Sequence, residues 1–177
     1  MNKPLIFIMN GSGGCGKDTF VDLCREYSVY CVRHCSTIEP IKVAAKMLGW
    51  NGQKDEKSRK FLSDLKDLCT VTYNTSFNYI AEEIENASDD DIEYIFIDCR
   101  EPEEIYKIVH SFENVKTIYV DASARIPHIT SNHADANTAQ YPYDYYINNN
   151  GTLNDLKKLT KEFIQMWDKE IENGAFD

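Results

Sequence analysis

Apolar runs alternate with helical patterns along the chain. The run "PLIFIM" is bounded by glycine, which is typical of a buried strand. From residue 17 to 27, apolar side chains recur with helical spacing. Further strands are predicted at 29–36, 93–98, 115–122 and 143–151. Further helices are predicted at 39–50, 54–69, 76–85, 101–112 and 152–170, while the polar, aperiodic residues 122–140 are predicted to form a loop.

This alternation predicts an α/β fold with a central parallel sheet of about five strands and helices on both faces. Ligands of such sheets bind at the carboxyl ends of the strands. The segment Gly11–Thr19 follows the first predicted strand, and the segment Asp98–Glu101 follows a central one. We therefore expect these two segments to meet at one site.

Composition narrows the possible partners. The 177 residues, 42% of them hydrophobic, suit a single domain spanning 1–177. The net charge of −10 argues against a nucleic acid polymer or an anionic membrane as partner, but it allows a small anionic ligand. No targeting or spanning segment is evident, and the six cysteines are interpreted as reduced thiols of a cytoplasmic protein.

Two groups of residues could be drawn as metal sites. The stretch "CVRHC", Cys31 to Cys35, lies in a predicted strand without a second pair of ligands, so a buried structural role is favoured. His128, His133 and Asp135 match no known ligand spacing, and a metal site there is disfavoured.

The clearest motif is "NGSGGCGKDTF", which fits the phosphate-binding pattern G-x-x-x-x-G-K from Gly11 to Lys17. Glycines let successive backbone N–H groups turn towards an anion, the following helix adds its positive end, and Lys17 supplies a mobile cation. The pattern departs from the usual one because Asp18 stands where Ser or Thr normally ligates magnesium. The residues predicted to contact ATP phosphates are Gly11, Ser12, Gly13, Gly14, Cys15, Gly16, Lys17, Asp18 and Thr19.

The stretch "GKDT" resembles the loop of the phage-type deoxynucleoside monophosphate kinases, in which Asp follows the loop lysine. Animal phosphomevalonate kinases share a similar GKD variant. Four more segments resemble the first family in the same order along the chain: "IEPIK", "LGWNGQKDEKSRKFLSDL", "FIDCREPEE" and "YDYYINNNGTLNDL". The resemblance covers most of the chain.

The resemblance implies a three-layer P-loop kinase fold and Mg²⁺-dependent phosphoryl transfer from ATP to a (deoxy)nucleoside monophosphate. It implies an acceptor-binding helical region at about 38–88 and a lid at about 122–140. The expected roles are catalysis by Lys17, Arg100 and Arg125, acceptor binding by Lys42, Arg59 and Arg100, contact with the ATP base by Asn149 and Gly151, and metal binding by Asp18, Thr19 and Asp98.

Each expected role has a structural alternative. Asp98 could cap the next helix, Arg100 could pair with Glu103 or Glu104, and Arg59 and Lys42 could be solvated surface charges. For Phe61, Tyr73 and Phe77, core packing is favoured over a wall for the acceptor base. Two rival functions stay open, namely a kinase for another phosphorylated metabolite such as phosphomevalonate, and a nucleotide sensor without turnover. The base preference and the oligomeric state are not determined by the sequence.

Overall fold

The structure, a computed structural model, describes residues 3–126 and 141–175. Within these ranges the strands are β1 (Leu5–Asn10), β2 (Val32–Ser36), β3 (Tyr94–Asp98), β4 (Val115–Asp121) and β5 (Tyr145–Asn148). The helices are α1 (Lys17–Tyr27), α2 (Glu39–Met47), α3 (Glu56–Tyr73), α4 (Thr75–Asp89), α5 (Pro102–Ser111) and α6 (Leu153–Glu172). None of the described helices is long and apolar enough to cross a lipid bilayer.

The five strands form one parallel sheet in the order β2-β3-β1-β4-β5. This confirms the predicted α/β class and the predicted strand number. β1 lies at the centre, between β3 and β4, so the chain after β1 shares the carboxyl edge of the sheet with the ends of both neighbours. Met9 of β1 stands opposite Asp98 of β3.

Each face of the sheet carries its own apolar core. On one face, side chains such as Phe7 and Phe96 pack against α1 and α6, including Phe163. On the other face, Ile6 and Ile8 belong to a cluster with side chains of α4 and α5. Alternation along β1 produces this division, because successive side chains of a strand point to opposite faces.

One helix of the predicted acceptor region, α3, lies outside these cores. α3 has no buried residue and packs against α2 and α4. The helical spacing of Phe61, Leu62, Leu65 and Leu68 predicts that these four side chains face inward, but Leu68 is 65% exposed, so the prediction is wrong for Leu68. Core packing is confirmed for Phe77, which contacts Phe112, but it is wrong for Tyr73, which is 74% exposed, and for the exposed Phe61. The helical period of the sequence identified α3. It does not show that the apolar side of α3 faces α2, α4 and solvent instead of the sheet.

A buried carboxylate joins α6 to the sheet. Asp168 accepts hydrogen bonds from the Tyr94 hydroxyl (2.8 Å), the Ser28 hydroxyl (2.7 Å) and the Val29 backbone N–H (3.2 Å). These bonds turn the chain after α1, which explains why β2 begins at Val32 and not at the predicted residue 29. Burial raises the pKa of the Tyr94 hydroxyl, and the adjacent Asp168 raises it further.

Asp168→Ala is expected to lower the free energy of unfolding by about 3 kcal/mol or more, because three donors lose their acceptor in a buried place. In a chain of this size the melting temperature should fall by about 6–12 °C. Thermal denaturation monitored by circular dichroism measures this. Glu170→Ala, on an exposed position of the same helix, is the control and should change little. Equal melting temperatures for the two variants would contradict the role of Asp168 as a stabilising buried acceptor.

Candidate phosphate-binding site

The chain between β1 and α1 forms a tight loop at the carboxyl edge of the sheet. Gly11 and Gly16 have φ values of +143° and +98°, which favour glycine. The loop closes through a hydrogen bond from the Cys15 N–H to the Ser12 carbonyl at 3.1 Å. α1 begins directly after Gly16, so its free N–H groups and positive dipole end face the loop.

Neighbouring residues leave no room for side chains at these two glycines. A Cβ on Gly11 would lie 2.5 Å from the Val120 carbonyl oxygen and 2.7 Å from the Cys15 sulfur. A Cβ on Gly16 would collide with the amide nitrogen of Asn149. The shape of the loop is therefore fixed by contacts with β4 and with the segment after β5.

Lys17 reaches back across the loop. Its Nζ donates to the Gly11 carbonyl at 3.0 Å and lies 3.7 Å from the Cys15 sulfur. Burial raises the pKa of the Cys15 thiol, and the nearby ammonium offsets only part of that rise. The Lys17 ammonium thus lies across the loop, on a side chain that is only half-buried.

Three potential metal ligands converge beside the loop. One ligand atom each from Asp18, His34 and Asp98 lies within 4.8 Å of the other two. His34 Nε2 is 3.5 Å from Asp98 Oδ2. Burial lowers the pKa of His34, but the Asp98 and Asp18 carboxylates outweigh that effect, so its net pKa is above the usual value.

His34 was missed as a site residue by sequence reasoning, which assigned "CVRHC" a buried structural role. That role holds for Cys35, which is buried in the core on the other face, whereas Cys31 is exposed. The register pairs His34 with Phe96, two residues before Asp98, so His34 and Asp98 share the face covered by α1. A histidine near the carboxyl end of a predicted strand was the signal that could have found it.

Arg100 also lies beside the loop. Its guanidinium nitrogen is 3.8 Å from where a Cβ of Gly13 would be, and its carbonyl accepts from the buried Asn10 side chain at 3.0 Å. The same Asn10 amide donates to the Tyr143 hydroxyl at 2.8 Å, and its oxygen accepts from the Gly11 N–H. Asn10 therefore fixes the start of the phosphate loop to the segment that carries Arg100, as the sheet topology predicts.

One of the two alternative partners considered for Arg100, Glu104, pairs with another cation. Lys66 of α3 forms an ion pair with Glu104 of α5 at 2.7 Å, and both side chains are at least 85% buried. The Cys99 thiol also donates to Glu104, at 3.6 Å. This pair anchors α3, which has no buried apolar side chain, to the chain just after Arg100.

Asn149, which is predicted to contact the ATP base, supports the loop, and Arg125 of the predicted lid contacts Asn149. The buried Asn149 donates its side-chain amide to the Cys15 carbonyl at 2.8 Å, and its backbone N–H donates to the Asp121 carbonyl at 2.7 Å. Its own carbonyl accepts from Arg125 Nε at 2.6 Å. Gly151 lies against Asp155, which forms a capping box with Thr152 at the start of α6. Contact of Asn149 and Gly151 with a base stays a prediction.

Among the described residues, no side-chain hydrogen bond or ion pair joins Lys42, Arg59 or Thr19 to this cluster. Lys42 is exposed on α2, and Arg59 is exposed on α3, where its Nε donates to the Lys54 carbonyl at 3.0 Å. Thr19 is exposed in the first turn of α1. His128, His133, Asp135 and most of the predicted lid lie outside the described residues.

The comparisons with known proteins bear on the fold. No protein-family model matches the sequence, and no curated protein matches it. A solved structure from Chloroflexus aurantiacus, described as a "putative kinase", matches over 94% of this chain and 98% of that chain, with a TM-score of 0.50 and 12% sequence identity. What the two chains share at that identity is the α/β fold.

Proposed function

We propose that this protein transfers a phosphoryl group from ATP to a (deoxy)nucleoside monophosphate. The observation that carries the proposal is the convergence of four groups at one end of the sheet. Lys17 lies across the glycine loop, Asp18 and Asp98 face each other beside it, and Arg100 flanks it at Gly13. A loop that served only as a turn would not require a cation, two carboxylates and an arginine around it.

The chain's own groups have separable roles. The loop N–H groups and the start of α1 bind the donor phosphates, and Lys17 exchanges its Gly11 carbonyl partner for a phosphate oxygen. Asp18 and Asp98 fit a divalent ion, because Asp98 Oδ1 is shielded from solvent and has no hydrogen-bond partner among the described residues. Such an ion, Mg²⁺ in the simplest case, would neutralise charge between the carboxylates and the phosphates. The acceptor phosphate is already ionised, so no general base is required.

The proposed acceptor is bound through Arg100, whose planar guanidinium suits the paired oxygens of a monophosphate. Lys42 and Arg59 are proposed to approach the acceptor from α2 and α3. We place the reaction in the cytoplasm, in keeping with six cysteines that are all free thiols.

A coupled ADP-release assay across a panel of nucleoside and deoxynucleoside monophosphates tests the proposal. We expect ADP release that depends on both the monophosphate and a divalent ion. Phosphomevalonate forms a separate arm of the panel, and turnover there alone would assign the rival substrate class. ATP consumption that no acceptor stimulates would contradict the transfer reaction.

A second candidate function is a nucleotide sensor without turnover, which one observation favours. Kinases of this kind stabilise the transferring group with arginines from a closing lid. The sequence from 122 to 140 has Arg125 as its single basic residue apart from histidine, and Arg125 Nε is bonded to the Asn149 carbonyl. Tight ATP binding measured by calorimetry, with no ADP release for any acceptor, would establish the sensor.

Arg100→Ala is expected to raise the Michaelis constant for the monophosphate while leaving that for ATP nearly unchanged. Loss of a charge-assisted contact costs about 1.5–3 kcal/mol, or roughly tenfold to more than a hundredfold. Initial-rate kinetics with each substrate varied in turn measures both constants. Arg33→Ala is the matched control, because Arg33 pairs with Asp90 at the opposite end of the sheet. Unchanged constants with a lower melting temperature would make Arg100 a structural residue.

A further inference from the structure

The cluster beside the phosphate loop contains an imidazole as well as two carboxylates. The distance from His34 Nε2 to Asp98 Oδ2 is 3.5 Å, and the ligand atom of Asp18 completes a triangle with no side above 4.8 Å. Two ligand atoms about 2.1 Å from one ion, at a tetrahedral angle, lie about 3.4 Å apart. Small side-chain rotations, above all of the exposed Asp18, would therefore bring all three atoms onto one ion.

Two polar atoms inside the cluster support a cation as its ligand. His34 Nε2 and Asp98 Oδ1 are both shielded from solvent and neither makes a well-formed hydrogen bond to the described residues, although Nε2 lies at ion-pair distance, 3.5 Å, from Asp98 Oδ2. Buried polar atoms normally find partners, so a pair left without them at one place indicates a ligand. A bound cation would satisfy both atoms at once.

The kind of ligand atoms determines the kind of ion. Mg²⁺ prefers carboxylate, phosphate and water oxygens and keeps an octahedral shell. An imidazole nitrogen instead favours the later first-row transition ions. A Mg²⁺ site with one or two carboxylates takes its remaining ligands from water and the nucleotide phosphates, whereas three protein ligands can hold an ion without nucleotide.

We propose that Asp18, His34 and Asp98 form a three-ligand site for a first-row divalent transition ion, which binds in preference to Mg²⁺ and without nucleotide. The inference rests on the proposed function only in placing a divalent ion beside the phosphate loop. It assigns His34 as a metal ligand and changes the expected identity of the ion.

The test uses Co²⁺ as the probe on the full chain, free of nucleotide. Isothermal titration calorimetry in excess Mg²⁺ gives the affinity and stoichiometry. Proton NMR of the Co²⁺-loaded protein detects a coordinated imidazole through the strongly shifted resonance of its ring N–H. We expect one Co²⁺ per chain and one such resonance.

His34→Asn is the decisive variant, because Asn keeps a polar group but removes the nitrogen ligand. It should weaken Co²⁺ binding at least about tenfold and abolish the shifted resonance. His110→Asn is the matched control, since His110 lies on the surface, stacked on Tyr106. The double variant His128→Asn/His133→Asn controls for the other two histidines, and both controls should keep wild-type affinity and the resonance.

Asp18→Asn is a second variant that keeps the test decisive if His34→Asn fails to fold, because Asp18 is exposed. It should also weaken Co²⁺ binding at least about tenfold. Equal Co²⁺ affinity in the wild type and His34→Asn, absence of the shifted resonance from the wild type, or no Co²⁺ binding in excess Mg²⁺ would each overturn the inference. His34 would then be an ion-pair partner of Asp98.

The two proposals fail in different ways. A chain that binds Co²⁺ through His34 but releases no ADP refutes the proposed function alone. A chain that phosphorylates a monophosphate with Mg²⁺, and whose Co²⁺ affinity is indifferent to His34, refutes the metal inference alone.

Discussion

Lys17→Ala should reduce phosphoryl transfer by at least about 10²–10³-fold while the protein stays folded. The ammonium donates to the Gly11 carbonyl at the start of the loop, and removing one preorganised charge-stabilising donor typically has an effect of that size on the rate. The structural loss is small, because the half-buried side chain makes one hydrogen bond to the Gly11 carbonyl. Stability should fall by about 1.5 kcal/mol or less, equivalent to a few degrees in melting temperature.

Single-turnover measurement of ADP formation, together with ATP binding by calorimetry, separates the loss of the chemical step from the loss of affinity. Lys60→Ala serves as the control, since Lys60 lies on the exposed face of α3 and pairs with Asp64. It should keep full activity. A Lys17→Ala variant with wild-type rates would exclude the phosphate-loop interpretation.

The central part of the fold could be predicted from local patterns. Unbroken apolar runs identified β1 and β3 because central strands of a parallel sheet are buried on both faces. The alternation of strands with helices then required parallel pairing. From that topology alone it followed that the glycine loop and the residues after Asp98 share one edge, and the contacts of Asn10 and Arg100 confirm it.

The site was harder to predict where side chains meet across elements. His34 joins Asp18 and Asp98 only through the register of β2 against β3, which no local pattern contains. Asn149 likewise supports the loop through a hydrogen bond to the Cys15 carbonyl, and these two residues are far apart in the sequence. α3 shows the same limit, because its helical period was clear but its neighbours were not.

Gly11→Ala is expected to destabilise the protein and weaken ATP binding together. The new Cβ would lie 2.5 Å from the Val120 carbonyl oxygen, and a backbone atom of a central strand cannot easily move away. The positive φ adds about 1–3 kcal/mol and the collision a similar amount, so we expect a total loss of about 3 kcal/mol, within the summed range of about 2–6 kcal/mol. The melting temperature should fall by about 6–12 °C, and the displaced loop should no longer present its N–H groups to phosphate.

Gly49→Ala separates the two contributions. Gly49 follows α2 with a φ of +101°, but none of the described residues has an atom within 4 Å of its added Cβ, so this variant carries backbone strain without a collision. Thermal denaturation and ATP calorimetry of both variants should show a smaller stability loss for Gly49→Ala and unchanged ATP affinity. If the two variants lost the same stability and both still bound ATP, contact with β4 would not determine the loop, and its shape would come from the glycine backbone alone.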